Sequence, residues 1–188
     1  CAVIGKVGSD ERGNHYIEGL RKTGVEGFLL KTQTPTTTVL SLVEATGART
    51  MRTYMGASQE LTPDELLFEY FEGIKLLHIE GYAFYNFPVV ARAIELAKQA
   101  GAKISLDLAS FEVVRQFRDK LDPLLQGAID IIFANHDEAH EITGEEPSHA
   151  VDRGGGKHVA LGCVGALQQR DAGRHHGRRR GRLQSVNT

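Results

Sequence analysis

From residue 73 onward the chain alternates between two kinds of segment. Short apolar runs, "KLLHIEGY", "AKISLDLA" and "IDIIFA", each stop at a glycine, an acid or an asparagine. Amphipathic stretches, "PVVARAIELAKQAG", "SFEVVRQFRDKL" and "DEAHEITG", follow them in turn. An apolar run bounded by turn residues predicts a buried strand, and apolar positions at 90, 94 and 97 place one stripe on a helix. A helix between two strands carries the chain back to the end where it started, so successive strands lie parallel. The alternation therefore predicts an α/β fold: a doubly wound, mostly parallel sheet with helices on both faces.

The first half breaks this rhythm. "CAVIGKV" reads as a buried strand, and residues 9–24 as a helix with Ser9 or Asp10 as N-cap and Gly24 as terminator. Residues 27–55 are β-rich, with "TTTVLSLVEA" and "RTMRTYMG" flanking Thr46-Gly47 as a hairpin. They are expected to form a small sheet separate from the main one. "LTPDELLFEYFEGI" predicts a helix with Pro63 and two acids in its first turn. "KHVAL" predicts a further strand, leading into "GCVGAL".

Charge is distributed unevenly. Six of the 22 basic residues and one of the 24 acidic ones fall in residues 170–188, leaving 16 basic against 23 acidic residues before them. An acidic body is a poor match for nucleic acid, whose phosphates need clustered Lys and Arg. No apolar run approaches the roughly 20 residues of a membrane span. The two cysteines form no disulfide framework, so the expected setting is reducing and cytoplasmic, with an organelle left open. Residues 1–170 read as one domain. Residues 171–188, "DAGRHHGRRRGRLQSVNT", have no hydrophobic period and read as disorder or as a shifted coding frame.

In an open parallel sheet, ligands bind beyond the carboxyl ends of the strands. Asp107 and Asn135 end two successive strands, and Glu138 follows one helical turn later. Asn135 can donate to a phosphate, and Glu138 can hold the water shell of Mg²⁺. The alternative is structural: Asn135 or Asp137 as N-cap, Glu138 complementing the helix dipole, and Asp107 capping the next helix. The eight histidines lack metal-ligand spacing, so no zinc site is inferred. His78 reads as a satisfied core residue and Cys163 as packing.

"GKVGSDERGNHYIEGLRKTGV" resembles the G-x-V-G-x-D-x-x-G segment of the ribokinase-like (PfkB) sugar and nucleoside kinases. "LLHIEGY", "ISLDLAS", "FANHDEAHEITG" and "VALGCVGAL" follow in the family's order, and the match runs to about Leu167. The resemblance implies a kinase that moves a phosphoryl group from ATP, with Mg²⁺, to a hydroxymethyl group of a sugar or nucleoside. "LLHIEGY" and "GARTMRTYMGAS" lean toward the adenosine-kinase-like branch. It implies that Asn135 and Glu138 organise phosphates and Mg²⁺, with Glu138 acting through water, and that Asp107 lies near the transferred phosphate. Gly5, Gly8, Asp10 and Gly13 match the early motif, and Gly162 and Gly165 match the nucleotide-side loop. Residues 27–55 would be a lid over the substrate, with Arg49 and Arg52 able to touch it, and lids of this kind pair in homodimers.

The departures are as informative. The family's Gly-Gly substrate motif would precede Cys1, and the G-A-G-D motif with its catalytic Asp occurs nowhere in the chain. The expectation is an incomplete and inactive kinase chain. The alternative is a non-catalytic binding protein on the same fold, with the basic tail engaging a partner.

Overall fold

The computed structural model describes residues 1–144. The expected strand "KHVAL", Gly162, Cys163, Gly165 and the Arg-rich tail lie outside these residues. Two compact units divide the chain, Cys1–Leu106 and the residues from Asp107 onward.

In the first unit, β1 (Ala2–Gly8) pairs in parallel with β2 (Glu26–Thr32), Ala2 standing opposite Glu26. The crossover between them is α1 (Glu11–Thr23). Its N-cap is Asp10, whose carboxylate accepts from the Gly13 N–H at 2.8 Å, a contact generally worth about 1 kcal/mol. Gly24 ends the helix at φ 73°, a left-handed conformation in which only glycine escapes a Cβ penalty. The hairpin forms as expected: β3 (Thr38–Val43) and β4 (Arg49–Tyr54) pair antiparallel as a sheet of their own. The separate sheet is smaller than the span 27–55 suggested, because residues 26–32 extend the parallel pairing with β1 instead.

Two further strands, β5 (Leu76–Glu80) and β6 (Lys103–Asp107), are neighbours in a sheet, and β7 (Ile131–Phe133) is the strand of the second unit. The Lys103 N–H donates to the Lys75 carbonyl, and two residues on the Ser105 hydroxyl donates to that of Leu77. Partner numbers rise together, so β5 and β6 run parallel. Between them lies α2 (Phe87–Gln99), which buries Val90, Ile94 and Ala97, the stripe that its spacing predicted, together with Leu96. Gly101 then turns the chain at φ 73°. In the second unit follow α3 (Phe111–Gln116), α4 (Arg118–Gly127) and α5 (His136–Thr143), with a core that includes Leu108, Val113, Val114, Leu121 and Ile142.

Three expectations need correction. Residues 61–74 form two short 3-10 turns, Pro63–Glu65 and Phe68–Phe71, and no α-helix. Leu66 and Phe71 are both buried. Five residues apart, they would point about 140° away from each other on a helix of 3.6 residues per turn, so one helical face cannot bury both. The helix after β6 breaks at Phe117 (φ −112°, ψ 21°) and resumes to Gly127. Nothing in the sequence marks that break. His78 is exposed and does not sit in the core, although its Nδ1 lies 2.9 Å from the buried Ser105 hydroxyl.

This distribution of burial yields a paired prediction. Leu106 is fully buried and Leu40 in the hairpin is 57% exposed. Leu106→Ala should cost about 2–5 kcal/mol of stability and Leu40→Ala no more than about 0.5 kcal/mol. Urea denaturation followed by circular dichroism measures both, and equal costs would contradict the division into core and bare hairpin.

Candidate functional site

Asn135 is the N-cap of α5, and it forms a reciprocal box with Glu138. The Asn135 side-chain oxygen accepts from the Glu138 N–H at 2.9 Å. Glu138 Oε2 accepts from the Asn135 N–H at 2.9 Å, and Oε1 from the Asn135 amide group at 2.7 Å. The structural alternative is thus realised at Asn135, not at Asp137. It does not account for everything at Glu138, which is buried to 4% exposure while its neighbour Asn135 is exposed. Burial is the main cause that pushes the Glu138 carboxyl above the ordinary carboxylate range; the Asn135 backbone N–H opposes it, and the charges of Asp107 and Asp137 add to the rise. Glu138, Asp107 and Asp137 therefore set a negative potential at this helix start.

A divalent cation suits that potential. Among the described residues, however, no group of three His, Cys, Asp or Glu side chains is arranged to hold a metal ion directly. Both Glu138 oxygens already accept bonds from Asn135. The donor set fits a hydrated ion touched through water rather than one ligated by a carboxylate cage.

Asp107 does not cap the next helix. Ser110 does, its hydroxyl accepting from the Val113 N–H at 3.2 Å. Asp107 instead accepts from the Ala109 N–H at 2.9 Å and so holds a tight turn. Ala109 has φ 66°, alone among the described non-glycine residues in being positive. A left-handed alanine is strained, and it persists here under the Asp107 bond on one side and the Ser110 cap on the other. Arg118 secures the other end of α5, donating to the Glu141 carbonyl at 2.7 Å, while Arg115 pairs with the Glu141 carboxylate at 2.8 Å.

The early motif lies in the first unit. Gly8, Asp10 and Gly13 converge on Thr36, just before the hairpin. Both Asp10 oxygens accept from Thr36, one from its hydroxyl at 2.6 Å and the other from its N–H at 2.8 Å. Those bonds to Thr36, then the one from Gly13, hold the Asp10 carboxyl down to about 2. A Cβ on Gly5 would meet only Leu29, at an ordinary contact distance of 3.4 Å, so Gly5 has no such duty. A cavity of about 600 Å³ opens beside this region, with Gly5, Val7, Arg12, His15, Thr36 and Ser58 in its wall.

Arg49 and Arg52 are exposed hairpin residues. Arg49 stands opposite Val43 and Arg52 opposite Leu40, so the register puts them on opposite faces of the ribbon. One ligand cannot lie under both. Sequence reasoning missed Thr36, Ala109 and Arg118. The run "TPTTT" gives no hint which threonine is buried, and neither a positive φ on alanine nor a bond to a helix carbonyl has a sequence signature.

A family model described as pfkB family carbohydrate kinase matches residues 1–166. A fructokinase of Solanum tuberosum is 34% identical over 114 residues, covering 56% of this chain and 35% of the relative. A probable fructokinase-3 of Arabidopsis thaliana is 32% identical over 114 residues, covering 57% and 33%. Among solved structures, the adenosine kinase from Sinorhizobium meliloti aligns with TM-score 0.70 and 28% identity over 77% of this chain and 46% of that one. A probable sugar kinase protein from Rhizobium etli aligns with TM-score 0.72 over 91% and 49%. At 24% identity the latter likeness speaks for the ribokinase-like fold alone. The match thus spans about a third of the length of those curated relatives.

The state of Glu138 gives a pH prediction. A carboxyl whose pKa is raised by folding contributes stability below its unfolded pKa and loses it as pH rises through the folded one. The stability advantage of the native chain over Glu138→Gln should therefore shrink between pH 4 and pH 7, by about 1.4 kcal/mol for each unit of the rise. Denaturation series on both proteins measure it. An advantage that grows with pH would show that the Asn135 donors outweigh burial.

Proposed function

This chain belongs to the pfkB family of carbohydrate kinases, and on that premise we propose that it is built as an ATP-dependent phosphotransferase acting on a hydroxymethyl group of a sugar or nucleoside. The observation that supports the reading is the Asn135–Glu138 box, which buries a carboxylate beside two other acids where a cation would relieve it. ATP bound with Mg²⁺ supplies the transferable phosphoryl group and neutralises its charge. Glu138 holds the cation's water shell, and Asn135 fixes the orientation of Glu138 while offering its amide to phosphate. Asp107, restrained by its turn, faces the transferred group. Gly162 and Gly165 border the nucleotide.

The hairpin is the lid, and either Arg49 or Arg52 reaches the acceptor, not both. The name of the Solanum tuberosum relative favours a hexose acceptor and that of the Sinorhizobium meliloti neighbour a nucleoside. Of these we favour the adenosine-kinase-like branch, on "LLHIEGY" and "GARTMRTYMGAS". Val39, Val43 and Met51 share one face of the ribbon and are each more than half exposed, which suits pairing of two hairpins in a homodimer. The partners otherwise are small molecules, neither nucleic acid nor membrane, and the setting is intracellular. Among the described residues no helix is long and apolar enough to cross a membrane.

The 188-residue chain is itself close to inactive on this reading, because it carries no G-A-G-D. Losing an oxyanion donor costs about 10²–10³ in rate, and losing a general base about 10²–10⁴. The second reading is a non-catalytic protein that binds a ligand or partner on the same fold.

Incubating the chain with Mg-ATP and a panel of sugars and nucleosides should give phosphorylated product at background rates, while calorimetry should detect weak Mg-nucleotide binding. Turnover well above background would overturn the claim of inactivity. No binding at millimolar nucleotide would count against the kinase reading itself.

A further inference from the structure

The hairpin is bare and its root is not. All but one of its twelve strand residues are exposed, so the ladder between β3 and β4 is all that orders it internally. The root is cross-braced. Thr36 is 9% exposed, and the Gly8 N–H donates to its hydroxyl at 2.9 Å while that hydroxyl donates to Asp10. The other leg is tied to the same segment. The Ala57 N–H donates to the Pro35 carbonyl at 2.9 Å, the Ser58 hydroxyl to the Met55 carbonyl at 2.8 Å, and the Thr37 hydroxyl to that same carbonyl.

Three glycines allow this closeness. A Cβ on Gly8 would stand 2.6 Å from the Thr36 nitrogen, and one on Gly13 would stand 2.2 Å from the Gly8 carbonyl and 2.9 Å from the Thr36 hydroxyl. Gly56, at φ 50°, would press a Cβ to 2.3 Å from the Pro35 carbonyl. The β1–α1 turn, Thr36 and both legs of the hairpin form one close-packed knot. Asp10 sits at its centre because it has two oxygens for two tasks. Oδ1 takes the Gly13 N–H and the Thr36 hydroxyl, and Oδ2 takes the Thr36 N–H.

We propose that Asp10 is a positioning residue: through Thr36 its carboxylate latches the root of the hairpin to the β1–α1 turn and so fixes how the hairpin is carried. Gly8 and Gly13 of the motif are then explained by close approach at this latch, not by contact with a ligand. The inference goes beyond the reading above and holds whether or not the chain transfers phosphate.

The capping and latching roles can be separated. Asn caps helices as well as Asp does, so Asp10→Asn keeps α1 capped through its one carbonyl oxygen but offers the Thr36 N–H no acceptor. Thr36→Val removes the hydroxyl and leaves the Asp10 cap intact, while Thr36→Ser restores it. Amide hydrogen exchange on the full chain, read by mass spectrometry, should show roughly tenfold faster exchange in residues 38–54 for Asp10→Asn and for Thr36→Val. Exchange in α1 should be unchanged, Thr36→Ser should behave as the native chain, and the double variant should be no faster than the single ones. Unchanged hairpin exchange in both single variants would overturn the proposal, as would equal acceleration of α1 and hairpin, or additive effects in the double variant. If Asp10→Asn fails to fold, the Thr36 pair decides the matter alone.

Discussion

A carboxylate taken out of water must be met by donors or by a cation, because an unpaired buried charge costs more than a small helix can supply. Glu138 is that carboxylate. Its oxygens are met by the N–H and amide of Asn135, and in return Asn135 caps α5. An eight-residue helix has little stability of its own, so it depends on what fixes its ends: the box at one, and Arg118 on the Glu141 carbonyl at the other. The same bonds that make the helix possible also hold the Glu138 carboxylate in one place. A helix cap and the proposed cation site are therefore compatible descriptions of the Asn-x-x-Glu pair. The helix start needs the pair for structure, and the residual negative potential from Asp107 and Asp137 is what remains for a ligand to use.

The first unit distributes rigidity differently. Its hairpin buries almost nothing, while its root is dense with short contacts among Gly8, Asp10, Gly13 and Thr36. Elements with few buried contacts open at the lowest free energy, and moving parts of proteins come from that end of the scale. If the hairpin serves as the proposed lid, fastening it at its root leaves its length free to move.

Regular structure was legible where one physical signal dominated. The stripe 90/94/97, the stop at Gly24 and the Thr46-Gly47 hairpin each follow from period or turn chemistry. Errors arose where tertiary contacts chose between local options. Residues 61–74 have helical composition, yet Leu66 and Phe71 are buried in directions that no single helix face provides. Residues 26–32 read as β, but nothing local says whether a strand joins the hairpin or β1. Asn135 and Asp107 stand out as candidates by their position at or after strand ends, and Glu138 by its place one turn into the following helix. Their hydrogen-bond partners do not stand out, since reciprocal bonding in a box and a left-handed alanine depend on backbone geometry. Arg49 and Arg52 show the same limit: only the register reveals that they face opposite ways.

The central claim is that Glu138 is a structurally held carboxylate with charge to spare for a hydrated cation. Carbon-13 NMR of the Glu138 carboxyl, followed through a pH titration, tests it directly. The carboxyl should titrate above the ordinary glutamate range in the free chain, and its pKa should fall when Mg-ATP is added, because a nearby cation favours the ionised form. A Glu138 that titrates normally, or whose raised pKa ignores Mg-ATP at saturating concentration, would reduce the pair to a helix cap and contradict the account.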